Sequence, residues 1–201
     1  MIGIKKEIKM GREAILNSVK KNKPEVLPLP EINEEAFQEV IDLKETFKNN
    51  VALVGGKVVE IIKQTIDAEI KVLYPDKANI VSTTDKSSLG TIEVDKNTDP
   101  HTLEHIDLAI IEGDLGVSEN GAIWVTANNS LVRALPFITN DLVIVLEKET
   151  ICLHMLEAYE KITDRDRNFG VFISGPSKTA DIEQCLVVGA HGAMSLTVIL
   201  V

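Results

Sequence analysis

The chain reads as an α/β domain with a largely parallel central sheet. Three observations lead there. The runs "ANIVST", "VFIS" and "LTVIL" are short, rich in β-branched residues and apolar on both faces, the pattern of strands covered from both sides. Segments with helical spacing of apolar residues alternate with such runs, the order that builds a parallel sheet. Aromatic residues make up only 4% of the chain, so the core is aliphatic. Its 201 residues suit one domain with a sizeable core.

Each element is read in order. Residues 7–20 have Ile8, Ile15, Leu16 and Val19 at helical spacing. Lys5, Lys6, Lys9, Arg12, Lys20, Lys21 and Lys23, with Glu7 and Glu13 interleaved, read as the solvated face of this helix, with a docking surface as the other reading. "KNKPEVLPLPEIN" follows, too rich in proline for helix or central strand. Residues 1–32 are therefore read as a helical arm and Pro-rich loop, and 33–201 as the α/β domain. Asn33 suits a helix N-cap ahead of Glu34 and Glu35, with the helix reaching about Phe47. "VALVGGKVVEIIKQ" reads as strand, Gly-Gly turn and helix, and "EIKVLYP" and "ANIVST" as strands.

Asp99 or Thr98 caps a helical turn opening at Pro100. Three strands then come in succession, "DLAIIEGDLGVSE", "GAIWVTA" and "DLVIVLEK", which predicts an antiparallel excursion. "ETICLHMLEAYEKI" reads as an amphipathic helix. "VFIS", a helix from about Thr179 to Val188, and "LTVIL" close the sequence.

Bulk properties exclude several functions. A net charge of −10 with no clustered basic face beyond the first helix argues against nucleic-acid binding. No run reaches the ~20 apolar residues of a membrane span, and charges interrupt any signal-peptide core, so a cytoplasmic protein is expected. Cys152 and Cys185 form no C-x-x-C pair. They are expected to be reduced, half-buried thiols, too few to hold an iron–sulfur cluster with four thiolates. His101 and His105 stand four apart but no third metal ligand is evident, and no metal site is assigned. His154 is read as a packing or surface residue.

Ligands in open parallel sheets sit at strand carboxyl ends, and four polar turns are candidates. Gly55-Gly56 is either a tight turn or a phosphate approach. Asn120-Gly121 is a hairpin signal, or else Glu119, Asn120 and Gly121 border a pocket with Glu119 as base or nucleophile. In Ser174-Gly175-Pro176-Ser177-Lys178-Thr179-Ala180-Asp181, Gly175 and Pro176 set a turn and Ser177 or Thr179 can cap a helix. Free N–H groups there, with Lys178, favour an anion, while Asp181 and Glu183 oppose one. The spacing is not that of a P-loop. Gly189 suits a helix C-cap, leaving His191 as a structural hydrogen-bonder or a catalytic or ligand-binding group.

Taken together, Gly175, Pro176, Ser177, Thr179, Ala180, Asp181, Ile182 and Glu183, then Gly189, His191 and Gly192, closely resemble the C-terminal signature of the LUD-domain family, the lactate-utilisation proteins of the LutC/YkgG type. "LGVSENGAIWVT" is similar to the family's second signature, through Glu119 and Gly121. Lys178, Asn120 and Ala193 stand where the family usually has Arg, Thr and Pro. The resemblance implies a three-layer α/β/α fold of the kind found in sugar-phosphate isomerases and CoA-transferases. It implies a part in oxidation of lactate to pyruvate beside an iron–sulfur partner subunit that carries the cluster, with no cofactor bound by this chain. The expected ligand is a small anionic metabolite, and self-association is left open. The other reading is a stand-alone isomerase- or transferase-like enzyme, or a binding module, for a phosphorylated or CoA-linked molecule.

Overall fold

The computed structural model describes residues 11–28, 30, 32–33, 40–61, 65–162, 169–180, 186–189 and 191–201. The chain forms two compact units, Met1–Val40 and Ile41–Val201. In the first, helix α1 spans Arg12–Lys21, with Glu13 in its first turn and Lys20 and Lys21 in its last, each placed to complement the helix dipole. The expected N-cap Asn33 leads into residues outside those described, but the helix expected to run from it to about Phe47 is not continuous: Val40, Ile41 and Asp42 are not helical, and Asp42 caps a new helix that starts at Leu43.

The second unit is built on a five-stranded, wholly parallel sheet. Its strands are β1 (Lys57–Glu60), β2 (Ile80–Ser82), β3 (Leu108–Gly113), β6 (Asp141–Leu146) and β11 (Ser195–Leu200), in the spatial order β1-β11-β6-β3-β2. Strands β3, β6 and β11 run in register from Leu108, Asp141 and Ser195. Their residues alternate between two cores. Ala109, Ile111, Leu142, Ile144, Leu196 and Val198 face one side, with Phe47 and Val51 of helix α2 (Leu43–Leu53). Leu108, Ile110, Val143, Val145 and Ile199 face the other, with Ile70 of helix α3 (Ile66–Leu73). This is the α/β arrangement that the apolar runs predict.

A second sheet covers part of the α2 face: β4 (Leu115–Val117), β5 (Ala122–Thr126), β7 (Ile151–Cys152) and β8 (Gly170–Ile173), ordered β7-β4-β5-β8. The pairs β4–β5 and β5–β8 are antiparallel, the excursion expected from three successive strands. Ile123 and Val125 turn into the first core, while Trp124 and Phe172 pack with Ala158 of helix α6 (Met155–Ile162) in a third cluster. Two short helices, α4 (Ala127–Ser130) and α5 (Leu135–Ile138), lead back to β6.

Four further segments depart from the sequence reading. "VALV" is the end of α2, not a strand. Leu43, Phe47 and Val51 recur every four residues, and Asp42 caps the helix by accepting from Glu45 N at 3.1 Å. The Gly-Gly turn therefore leads into strand β1 and not into a helix. "EIKVLYP" lies in α3, capped by Thr65, with Ile66, Ile70 and Leu73 at helical spacing. Ile151 and Cys152 pair with β4, so α6 starts only at Met155. Finally, Lys178–Ala180 (β9) and Leu186–Val188 (β10) form an antiparallel ribbon where a helix was expected. Apolar runs of three or four residues fit either period, and neighbouring backbone decides between them.

Candidate functional site

The ribbon changes the chemistry available at the Gly-Pro-Ser-Lys-Thr turn. With no helix starting at Thr179, the turn has no helical N–H cluster to offer an anion, and Gly189, at φ +80°, follows a strand instead of capping a helix. The turns also lie elsewhere than expected: Gly55-Gly56 precedes β1 and Gly189–Ala193 precedes β11. They gather at the amino edge of the parallel sheet, because the run before Gly55 is helical.

The carboxyl-terminal turn of α2 organises this edge. Asn50 Nδ2 donates to Ser118 O at 2.7 Å and to Glu119 O at 3.1 Å. Gly121, at φ +66°, lies so close to α2 that a Cβ there would come within 2.8 Å of Val51 N. Gly175, at φ +74°, lies against Val54, where a Cβ would meet its carbonyl oxygen at 2.5 Å. The Lys178 ammonium donates to that same carbonyl, a cation on the negative end of a helix. Ser174 Oγ donates to Asn120 O at 2.9 Å, joining the two signature turns directly. Ser177 N donates to Ala193 O at 2.8 Å, and Gly189 N to Ser177 O at 3.2 Å, tying the 175–178 turn to the segment before β11.

A cavity of about 340 Å³ opens between these two segments. Gly175, Ser177, Lys178, His191 and Gly192 border it, together with Pro136, Phe137, Phe172, Leu142, Ala193 and Leu196 among others. Leu142 and Leu196 are the second residues of β6 and β11 and are almost fully buried, so they close its inner end. Lys178 and His191 are exposed. The arrangement brings hydroxyl, ammonium and imidazole groups to one cavity whose inner end is closed by leucines.

Four of the nine residues singled out from sequence, Gly175, Ser177, Lys178 and His191, meet at this cavity. Thr179 follows them on β9, while Asp181 lies outside the described residues. Glu119, Asn120 and Gly121 are not among the residues that border it. Glu119 instead accepts from Met155 N at 2.9 Å and so caps α6, where His154 Nδ1 accepts from Glu157 N at 3.1 Å. Asn120 Oδ1 accepts from Ala122 N at 3.0 Å inside the hairpin.

The sequence reading missed the apolar wall and Asn50. Two of the chain's five phenylalanines, Phe137 and Phe172, border one cavity, a concentration visible only after folding.

Two other reactive candidates have structural surroundings. Cys152 is fully buried, not half-buried, and burial pushes its thiol up to about 11. His101 Nδ1 lies 2.8 Å from Asp99 on an exposed 3-10 turn, Pro100–Leu103, where Asp99 is the cap. Among the described residues no three His, Cys, Asp or Glu side chains are grouped to hold a metal ion, and no described helix is long and apolar enough to cross a membrane.

The fold and its edge cavity define an α/β domain with a ligand-sized site, and the comparisons give it a family. The LUD domain model matches residues 12–201, and the chain belongs to the LUD-domain family. It is similar to lactate utilization protein C of Oceanobacillus iheyensis, 30% identical over 49% of this chain and 45% of that protein. The protein of the same name from Geobacillus kaustophilus is 32% identical over 49% of this chain and 43% of its own length. An Exiguobacterium lactate utilization protein C is 25% identical over 96% of this chain and 90% of its own. The chain thus spans less than half the length of the first two relatives and most of the third. A crystal structure of a DUF162 family protein from Deinococcus radiodurans shares the fold, with a TM-score of 0.60 at 16% identity over 79% of this chain and 95% of that one.

Proposed function

We propose that this protein takes part in lactate utilisation by binding a small carboxylate at the cavity between the 175–178 and 191–193 segments. The observation that carries this reading is the convergence of Ser177, Lys178 and His191 on one cavity. The lysine ammonium offers three donors, of which Val54 O takes one. The remaining protons can reach a carboxylate, with the Ser177 hydroxyl as a further donor. His191 is the candidate base. Oxidation of lactate to pyruvate breaks the C2–H and O–H bonds, forms a C2=O bond and releases two electrons and two protons. In this reading the chain orients the acid and receives the hydroxyl proton at the imidazole; the proton from C2 would pass to solvent and the two electrons to an iron–sulfur partner subunit. The relatives named for lactate utilisation support this assignment at family level. A cytoplasmic setting is part of the same reading.

The test is thermal unfolding of the full chain with lactate, pyruvate, inorganic phosphate and coenzyme A, each at ~100 times its dissociation constant. Such occupancy stabilises by about 2.7 kcal/mol, a rise of roughly 5–10 °C for a chain of this size. A rise with lactate or pyruvate that disappears in Lys178→Met supports the reading. A rise only with phosphate or coenzyme A contradicts it and favours the isomerase- or transferase-like alternative. Co-expression with the iron–sulfur subunit and gel filtration tests the partner: separate elution at micromolar concentration removes that part of the proposal.

A further inference from the structure

The cavity is larger than a three-carbon acid requires. Its volume of about 340 Å³ falls in the range of about 300–1,000 Å³ typical of sites for drug-sized ligands. Its side-chain polar groups, Ser177, Lys178 and His191, come from two segments joined by the 2.8 Å bond from Ser177 N to Ala193 O. The exposed Phe137 and the half-buried Ile173 border it on the apolar side, with Leu142 and Leu196 buried at the inner end. A lactate carboxylate beside Lys178 would set only a single methyl group on the apolar side and leave the exposed Phe137 ring wet. Water on an apolar surface is what a larger side chain would displace, with a gain roughly proportional to the area covered.

We infer that the site is built for 2-hydroxy or 2-oxo monocarboxylates that carry a branched or ring-sized apolar side chain. The carboxylate sits beside Lys178 and His191, and the side chain lies against Phe137 and Ile173. The inference rests on the proposal that this cavity is a carboxylate site, and it names the class of acid.

Calorimetric titration of the full chain tests it with four probes: lactate, 2-hydroxyisocaproate, 3-phenyllactate and the methyl ester of 3-phenyllactate. The two larger acids are expected to bind at least tenfold tighter than lactate, since even one methylene in an apolar pocket is worth about tenfold or more. The neutral ester is expected to bind at least tenfold weaker than its acid. Phe137 is 40% exposed, so Phe137→Ala leaves the core intact. That variant is expected to lose at least fivefold in affinity for 3-phenyllactate, and a smaller factor for lactate; equal losses for the two acids would overturn the size inference. Lactate binding as tightly as 3-phenyllactate would overturn the size inference and leave the carboxylate site standing. An ester that binds as tightly as the acid, or no binding by any acid, would overturn both.

Discussion

Ser174 Oγ donates a hydrogen bond of 2.9 Å to the carbonyl oxygen of Asn120, across fifty-four residues of sequence. The bond joins the two motifs that stand out in the sequence. Both motifs also touch the same helix end: Asn50 holds the carbonyls of Ser118 and Glu119, and Val54 O receives Lys178. The carboxyl-terminal turn of α2 is thus the common support for the candidate site, although no polar motif marks it.

The glycines of these motifs are expected to be intolerant of a side chain. Gly175 and Gly121 have positive φ, and a Cβ on either would collide with α2 backbone. Gly175→Ala and Gly121→Ala should each cost about 2–3 kcal/mol, from left-handed strain alone at the low end. The unfolding midpoint should fall by roughly 5–10 °C, read by calorimetry. A change below 2 °C would mean that the contact with α2 is not made.

Glu119 should show itself first in stability. Its carboxylate caps Met155 N at the start of α6. Glu119→Ala is expected to cost about 1 kcal/mol, as loss of a helix cap does. Glu119→Gln keeps an acceptor oxygen and should lose less than half of that. Denaturant titration separates the two variants, and equal losses would argue against a capping role.

Asp107 supplies a pH signature. Its carboxylate accepts from Asn79 N at 2.9 Å and Ala78 N at 3.4 Å, and the Asn79 bond, followed by partial burial acting the other way, holds it below the usual carboxylate range. A folded value below the unfolded one of about 3.9 stabilises the fold above that pH. The contribution is lost as pH falls through the folded value. Asp107→Asn should therefore unfold at a lower temperature than the parent at pH 7, and the gap should narrow as pH falls below the unfolded value of about 3.9. A gap unchanged by acid would contradict this.

Cys152 should be unreactive in the folded protein. Burial is the largest cause of its raised thiol, with the neighbouring Glu157 carboxylate adding to it. Thiolate is the reactive form. Disulfide reagents at pH 8 should label Cys152 only after denaturant is added, which peptide mass spectrometry reads. Labelling of Cys152 within minutes in native buffer would contradict its burial.

Much of the fold was legible because the parallel strands carry long apolar runs. "DLAIIEG", "DLVIVLEK" and "LTVIL" have no alternative that buries both faces. The errors fell on short runs. "VALV" and "EIKVLYP" fit a strand by composition, yet Phe47, Val51 and Ile70 place them on helices packed against opposite faces of the sheet. At the site, Gly175, Ser177, Lys178 and His191 could be picked out by residue type and turn chemistry. Their position could not, because it depended on the ribbon Lys178–Ala180 and Leu186–Val188 and on which end of each strand the turns occupy. Phe137 and Phe172 lie on α5 and β8 and border one cavity only through the tertiary fold.

The most direct test of the candidate site is backbone amide NMR of the full chain, titrated with 3-phenyllactate and with lactate, in the parent and in Lys178→Met. The account requires shifts concentrated at Gly175, Ser177, Lys178, His191 and Gly192, saturating with added acid and absent in the variant. Shifts concentrated instead at the opposite edge of the sheet, around Thr84, Lys86 and Glu112 at the carboxyl ends of β2 and β3, would contradict it and move the site to the other end of the strands.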